Sequence, residues 1–302
     1  MSRIRVTVLM GGPDAERDVS IASGNAVAEA LEQSDLFNVN LQLIDQPSIQ
    51  NILHIETDVV FPVLHGPFGE GGPLQSLLEE AKLPFVGSCS QVSANAMNKV
   101  ITKQIAIEAG LKTPSWCTLK QGQPCTIIPP LVIKPVDDGS SVDTLLCRSE
   151  IEVANARSTL HPKRSTLLVE TFIDGREISV GIIDGSALPI IEILPSVDLD
   201  MYDYAAKYER DDTQYIIDPV LPENQCVEQA IHIYNIMGLR DIARVDYLFD
   251  DHGAWFLEIN TMPGFTTHSL IPMAARHAGI EMPELCTKLV EIAFRRVISA
   301  QV

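Results

Sequence analysis

Residues 242–260, IARVDYLFDDHGAWFLEIN, constrain this chain more tightly than any other stretch. Two apolar runs of alternating polarity flank a polar turn of Asp250, Asp251, His252 and Gly253, the pattern of a β-hairpin. Alternation places Arg244 with Asp246 on one face of the first strand, and Glu258 with Asn260 on one face of the second. Closing the turn sets Asp246 roughly opposite Glu258. Hard divalent cations such as Mg²⁺ take two carboxylates and a carboxamide oxygen of this kind, with phosphate oxygens filling the remaining positions. Bare carboxylates at that spacing repel, which favours a cation between them. The plainer alternative is a solvated face whose acids pair with lysines or arginines elsewhere. Directly after the second strand comes TMPGFTTHSL (261–270), a Pro-Gly turn crowded with hydroxyl groups, and turns carried on a rigid sheet are where substrate contacts concentrate.

The rest of the chain has two grammars. A strand at 4–10 runs into GGPDAERDVS and a helix carrying Val27, Ala30 and Leu31; strands follow near 38–44 and 58–64, then HGPFGEGGPLQ and a helix at 73–82. Strand, glycine loop and helix alternate as in an open parallel sheet, whose ligand loops lie at the carboxyl ends of its strands. After a long helix expected at 93–109, strands at 131–134, 143–147, 166–171, 177–183 and 187–193 come with short turns and one helix at 149–159, an antiparallel α+β unit. The polar, tyrosine-rich stretch 195–216 has the character of a lid, and a helix with Leu285, Leu289 and Ile292 closes the chain. The expected units are 1–92, 93–184 and 185–302, in keeping with about 100–150 residues per domain.

Composition narrows the partners. A net charge of −18 argues against a long nucleic-acid backbone but allows one small nucleotide met by a few inward lysines. No apolar run has the ~20 residues of a membrane helix, and the N-terminus lacks an export segment, so no membrane partner and a cytoplasmic location are expected. The six cysteines are scattered without C-x-x-C spacing and read as buried free thiols.

Three further motifs bear on chemistry. LVIKPVDDGSSVD (131–143) sets Lys134 at a strand end before Gly139, Ser140 and Ser141, where a lysine and backbone N–H groups can meet phosphate; taken alone the motif favours an ordinary surface lysine before a turn. LLVETFIDGREISV (167–180) carries Glu170 and Glu177 either side of a strand-to-loop crossing at Phe172 and Ile173, a setting that suits a purine and its ribose. HGPFGEGGPLQ (65–75) exposes His65 and backbone amides, or simply opens a helix at Pro73.

Taken together, GGPDAERDVS, HGPFGEGGPLQ, MNKVITK, VIKPVDDGSSV, YDYAAKY, ARVDYLF and LEINTMPGFTTHSLIPMAA resemble, in order and spacing, the D-alanine–D-alanine ligases of the ATP-grasp superfamily. The resemblance implies α/β and α+β architecture: an N-terminal Rossmann-like parallel sheet, a central α+β domain and a C-terminal mixed sheet. It implies ATP and two Mg²⁺ (or Mn²⁺) as cofactors, two D-alanine molecules as substrates, and a homodimer. By the same resemblance Lys99, Lys134 and Ser141 meet the phosphates and Lys207 the γ-phosphate. Glu170, Phe172, Ile173 and Glu177 lie at adenine and ribose, and Asp246, Glu258 and Asn260 bind the metals. Glu16 orients the first D-alanine's ammonium beside His65, in a set with Ser140 and Tyr208. Arg244 and the Gly264 N–H stabilise the oxyanion, and Ser269 and Leu270 hold the second D-alanine's carboxylate.

The chain departs from the family pattern at Asp143 (usually Gly), Thr171 (usually Lys), Asn98 (usually Asp) and Met262 (usually small). A carboxylate at 143 should repel a triphosphate unless it is turned away or neutralised. Two alternatives therefore stand beside D-Ala–D-Ala ligation. One is a non-catalytic ATP-binding paralogue. The other is a ligase for D-Ser or D-lactate, the lactate form being disfavoured by Tyr208.

Overall fold

The computed structural model describes residues 3–139, 141–195, 212–221 and 225–300. Its first layer is a parallel sheet of β1 (Ile4–Gly11), β2 (Phe37–Ile44) and β3 (Val59–Pro62) in the order β2-β1-β3. β1 is buried from Val6 to Gly11, as a central strand covered on both faces must be. Helix α1 (Arg17–Glu32) covers the sheet with Val27, Ala30 and Leu31, the expected stripe. α2 (Ile49–Leu53), α3 (Gly66–Gly69) and α4 (Pro73–Glu80) complete this layer.

The helix expected at 93–109 is two helices, α5 (Ser90–Met97) and α6 (Lys99–Glu108). Asn98 breaks it. Its backbone is extended, and its side-chain oxygen accepts from Val100 N (3.0 Å) and Ile101 N (3.2 Å), so it starts a new helix as an N-cap. The break re-aims α6 so that Lys99 stands at its first turn.

The second layer is antiparallel, ordered β4-β7-β5-β6: β4 (Trp116–Lys120), β5 (Leu131–Pro135), β6 (Leu145–Cys147) and β7 (Thr166–Thr171), with α7 (Glu150–Leu160) packed on it. Strand β4 is an addition to the sequence reading. This layer has its own core, built on Leu119, Ile133, Val153, Leu160 and Val169.

The third layer comprises β8 (Arg176–Ile183), β9 (Ser186–Ala187), β10 (Ile191–Leu194), β11 (Gln214–Ile217), β12 (Ile242–Asp250) and β13 (Gly253–Asn260), in the order β11-β10-β8-β12-β13 with β9 on β8. Two expectations are corrected here. The strand read at 177–183 belongs to this sheet and not to the central one, because β8 pairs with β12 over its full length (Ile242↔Ile183 to Phe249↔Arg176). The sheet is also antiparallel in all its described pairings, where a mixed sheet was expected. Part of the expected lid is strand as well: Gln214–Ile217 pairs with β10 at the sheet edge.

Helix α8 (Gln225–Met237) backs this sheet, and α9 (Leu270–His277) and α10 (Met282–Ala300) carry the chain back to the first layer. One continuous apolar core joins Val8, Val27 and Phe61 to Phe265, Ile271 and Leu289. Among the described residues no helix is long and apolar enough to cross a membrane, and the six cysteines are unpaired.

Candidate active site

The hairpin forms in the expected register, with Asp246 opposite Glu258 and Arg244 opposite Asn260. The turn is tighter than the sequence reading, since Asp250 and Gly253 already pair and only Asp251 and His252 lie between them. A bulge after Asp246 shifts the outer half of the ribbon, leaving the site residues in phase.

Asp246 is buried and fully engaged. It accepts from Arg244 Nε (3.0 Å) and Nη2 (2.8 Å), from Ser179 Oγ (2.8 Å) on β8, and from Asn260 Nδ2 (3.0 Å). Glu258 pairs with Lys99 Nζ at 3.2 Å. Each carboxylate thus has a cationic partner in the protein itself. Among the described residues no group of three or more His, Cys, Asp and Glu converges as a metal centre. The oxygen set of Asp246, Glu258 and Asn260 fits a divalent cation that shares its shell with phosphate, the usual arrangement for Mg²⁺.

Between the central and C-terminal sheets lies a cleft of about 950 Å³. Lys99, Lys134, Ser141, Glu170, Phe172, Ile173, Glu177 and Glu258 all line it, which brings the expected nucleotide residues together. On its central wall Glu170, 3% exposed, is clamped between Lys134 and the fully buried Lys103. Burial would raise the Glu170 carboxyl, but Lys134 and Lys103 outweigh it and hold it below the usual range. Burial likewise opposes the Lys134 ammonium, yet Glu170 and Glu258 raise it. For Lys103 burial wins over Glu170, and its pKa falls to about 8. Lys99 donates to Asp138 O at 2.5 Å, closing the cleft floor beside Gly139.

Asp143 is not on the cleft wall, although Val142 and Thr144 are. It sits at φ 57°, which explains why glycine suits the position, and it accepts from Lys163 Nζ at 2.8 Å. The expected repulsion is therefore absent: the carboxylate is turned away and neutralised. Asp138, on the same loop, pairs with Arg164. Thr171 keeps a main-chain bond to Ser115 O (2.8 Å).

Beyond Gly139 the N-terminal layer contributes Glu16, His65 and Glu70, all buried, at the carboxyl ends of β1 and β3. Glu16 Oε2 comes so near Gly139 that a Cβ there would lie 3.2 Å from it. His65 Nδ1 meets Met262 O at 3.0 Å, and burial lowers its pKa against the pull of Glu16. The imidazole is therefore neutral, Nδ1–H donates, and the buried Nε2 has no partner among the described residues. Glu70 accepts from Gly66 N (3.2 Å) and Met262 N (3.3 Å), and burial together with Glu16 pushes its carboxyl up to about 8. Met262, buried, thus joins the turn after β13 to both residues. In the same turn a Cβ on Gly264 would lie 2.7 Å from Ser269 Oγ, so a side chain there would have to displace that hydroxyl. Ser269 stands at the N-cap position of α9 just ahead of Leu270, and its hydroxyl, which makes no capping bond to the helix, accepts from Thr266 N at 3.0 Å.

Glu16, His65, Arg244, Gly264, Ser269 and Leu270 therefore gather beside the hairpin, while Ser140, Lys207 and Tyr208 lie outside the described residues. Lys103, Glu70 and Ser179 escaped the sequence reading. Lys103 had a signal, since it shares the apolar face of α6 with Thr102 and Ala106. Glu70 had one too, as an acid inside a glycine-rich turn. Ser179 had none, because it depends on the β8–β12 register.

A nucleotide-sized cleft between two antiparallel sheets, floored by lysines and a carboxylate hairpin, is the architecture of an ATP-grasp ligase. Comparison with known proteins makes this specific. The family model for the D-ala D-ala ligase C-terminus matches residues 107–291, and that for the N-terminus matches residues 45–88. The D-alanine–D-alanine ligase of Syntrophotalea carbinolica is 36% identical over 291 residues, 94% of each chain. That of Aquifex aeolicus is 36% identical over 95% of this chain and all of its own. Among solved structures, D-alanine–D-alanine ligase from Bacillus anthracis complexed with ATP superposes with a TM-score of 0.86 at 28% identity over the whole of both chains. The VanG D-Ala:D-Ser ligase from Enterococcus faecalis gives 0.82 at 26%, over 97% of this chain and all of its own. The chain belongs to the D-alanine–D-alanine ligase family. It is an enzyme, and the aspartate that motivated a non-catalytic alternative is paired with Lys163.

Proposed function

We propose that this chain condenses two D-alanine molecules to D-alanyl-D-alanine, converting ATP to ADP and phosphate through a D-alanyl phosphate. The observation that carries the proposal is the facing of Asp246 and Glu258 across the hairpin, with Glu258 lining the lysine-bearing cleft and the buried Glu16, His65 and Glu70 lying beyond Gly139.

ATP occupies the cleft, its base against Phe172 and Ile173, its ribose at Glu177, and its phosphates towards Lys99, Lys134 and Ser141. Asp246, Glu258 and Asn260 hold the divalent ions, two Mg²⁺ or Mn²⁺, which when bound neutralise phosphate charge. Glu16 takes the ammonium of the first D-alanine, and the neutral His65 lies alongside. With its carboxylate aimed at the γ-phosphoryl group, the first substrate displaces ADP. The second D-alanine, as its neutral amine, then adds to the acyl carbon while Arg244 and the Gly264 N–H receive the oxyanion. Collapse of the adduct breaks the bond to phosphate, which leaves with loss of a proton from nitrogen to give the amide. Loss of one such donor raises a barrier by ~3–4 kcal/mol. Its carboxylate rests at Ser269 and Leu270, on the N-terminus of α9. Water destroys an acyl phosphate, so the buried setting of His65 and Glu70 protects the intermediate.

We further infer that the dipeptide serves peptidoglycan precursor synthesis in the cytoplasm, and that the enzyme is a homodimer. A second reading, D-Ala–D-Ser ligation, is favoured by the likeness to the VanG ligase. Mass spectrometry of products from ATP, Mg²⁺ and D-alanine, with D-serine and D-lactate competing and L-alanine as control, separates them. D-Ala–D-Ala as the main product is expected. A mixed dipeptide in excess would favour the second reading, and absence of any dipeptide would end both.

A further inference from the structure

Lys103 takes no part in the scheme above, yet its ammonium is fully buried directly behind the cleft wall. It lies one helical turn beyond Lys99 on α6. Its Nζ meets Glu170 Oε1 and donates to Thr113 Oγ1 at 2.5 Å, and Thr113 donates in turn to Phe256 O at 2.9 Å. Glu170 Oε2 holds Lys134. One carboxylate is therefore shared by two ammonium groups of different access. Lys134 lines the cleft and Lys103 does not.

This asymmetry matters when an anion arrives. A phosphate in the cleft competes with Glu170 for Lys134. If Lys134 were the sole partner of Glu170, its departure would strand a buried carboxylate, which is strongly unfavourable. Lys103 cannot follow Lys134, because Thr113 ties it to β13, and it stays against Glu170.

We propose that Lys103 is a positioning residue for nucleotide binding, compensating the Glu170 charge so that Lys134 is free to turn to the phosphates. The proposal rests on the reading of the cleft as the ATP site. It predicts that Lys103 acts only through the charge of Glu170, which a merely structural lysine would not do.

The test is calorimetric titration of ATP into the wild type, Lys103→Met, Lys103→Arg, Glu170→Gln and the Lys103→Met/Glu170→Gln double variant, each checked by thermal melting. Lys103→Met should weaken ATP by about tenfold or more, and Lys103→Arg, which keeps the charge, by less than about threefold. On the Glu170→Gln background, Lys103→Met should change affinity by less than about threefold. Wild-type affinity in Lys103→Met, or an equal loss on both backgrounds, would overturn the proposal. Should Lys103→Met fail to fold, the two variants without the carboxylate decide by the same rule: similar affinities support it, and a further loss in the double variant overturns it. A wild type that binds no ATP would instead bring down the functional reading on which the proposal stands.

Discussion

Asp143→Gly restores the residue typical of the family at a position where this chain sets a carboxylate on the loop after β5, and the structure says the change should matter little. Three terms compete. The pair with Lys163 is lost, but the lysine side chain is 55% exposed, so screening leaves it worth about 0–1 kcal/mol. The backbone at φ 57° is relieved of a side chain, which returns about 1 kcal/mol. Glycine in turn loosens the unfolded chain, costing about 0.4–1 kcal/mol. These terms nearly cancel, so the melting temperature should move by no more than about 3 °C. Since Asp143 is absent from the cleft wall, the KM for ATP should stay within about threefold of wild type. Steady-state ADP release at varied ATP, beside a thermal melt, measures both. A KM lowered more than about tenfold would mean that the carboxylate does face the nucleotide. A comparable fall in kcat at unchanged stability would mean that Asp143 has a positive task in turnover.

Glu258→Gln removes one of the two facing carboxylates and the partner of Lys99; turnover should be lost while circular dichroism stays native, and wild-type rates would remove Glu258 from the metal set. Arg244→Ala should lower kcat by about 10²–10³-fold with a smaller change in ATP affinity, and a loss confined to affinity would contradict its oxyanion role. Glu70 is raised from 4.5 to about 8 on folding, so between those values the folded chain holds a proton that the unfolded chain releases. Its contribution is complete below pH 4.5 and is lost as pH climbs through about 8. The melting temperature of the wild type should accordingly fall faster than that of Glu70→Gln from pH 6 to 9, and parallel curves would show that Glu70 is ionised in the folded protein.

What was legible in the sequence follows the range of the interactions involved. The hairpin could be read because alternation and a polar turn are local, and two strands closing on themselves leave little choice of register. The parallel layer could be read because strand, glycine turn and helix recur in order. The break at Asn98 was a local signal overlooked, an amide oxygen placed to cap the helix that follows. The membership of β8 was not legible, since it follows β7 closely in sequence and yet pairs with β12 some sixty residues on. Residues carried by their own motif come together in the structure as expected in position, whereas those that answer a neighbour's needs were not anticipated. Ser179 matters because Asp246 lies beside it, and Lys103 because Glu170 has two oxygens to satisfy.

The turn after β13 belongs to two bodies at once. Thr261 bonds to Glu70 O at 3.0 Å, Met262 to His65 and Glu70, and Phe265 to Ser23 at 3.0 Å with its ring edge-on to Phe61. Farther along the same seam Asp241 accepts from Gly87 N at 2.7 Å and pairs with Arg296. The buried cluster of Glu16, His65 and Glu70 is thus held from two sides, while the sheet β4–β7 keeps a core to itself. If the cleft has to widen to admit nucleotide, that cross-linked seam would direct the movement to the smaller sheet, held to its neighbour through Lys103 and Thr113.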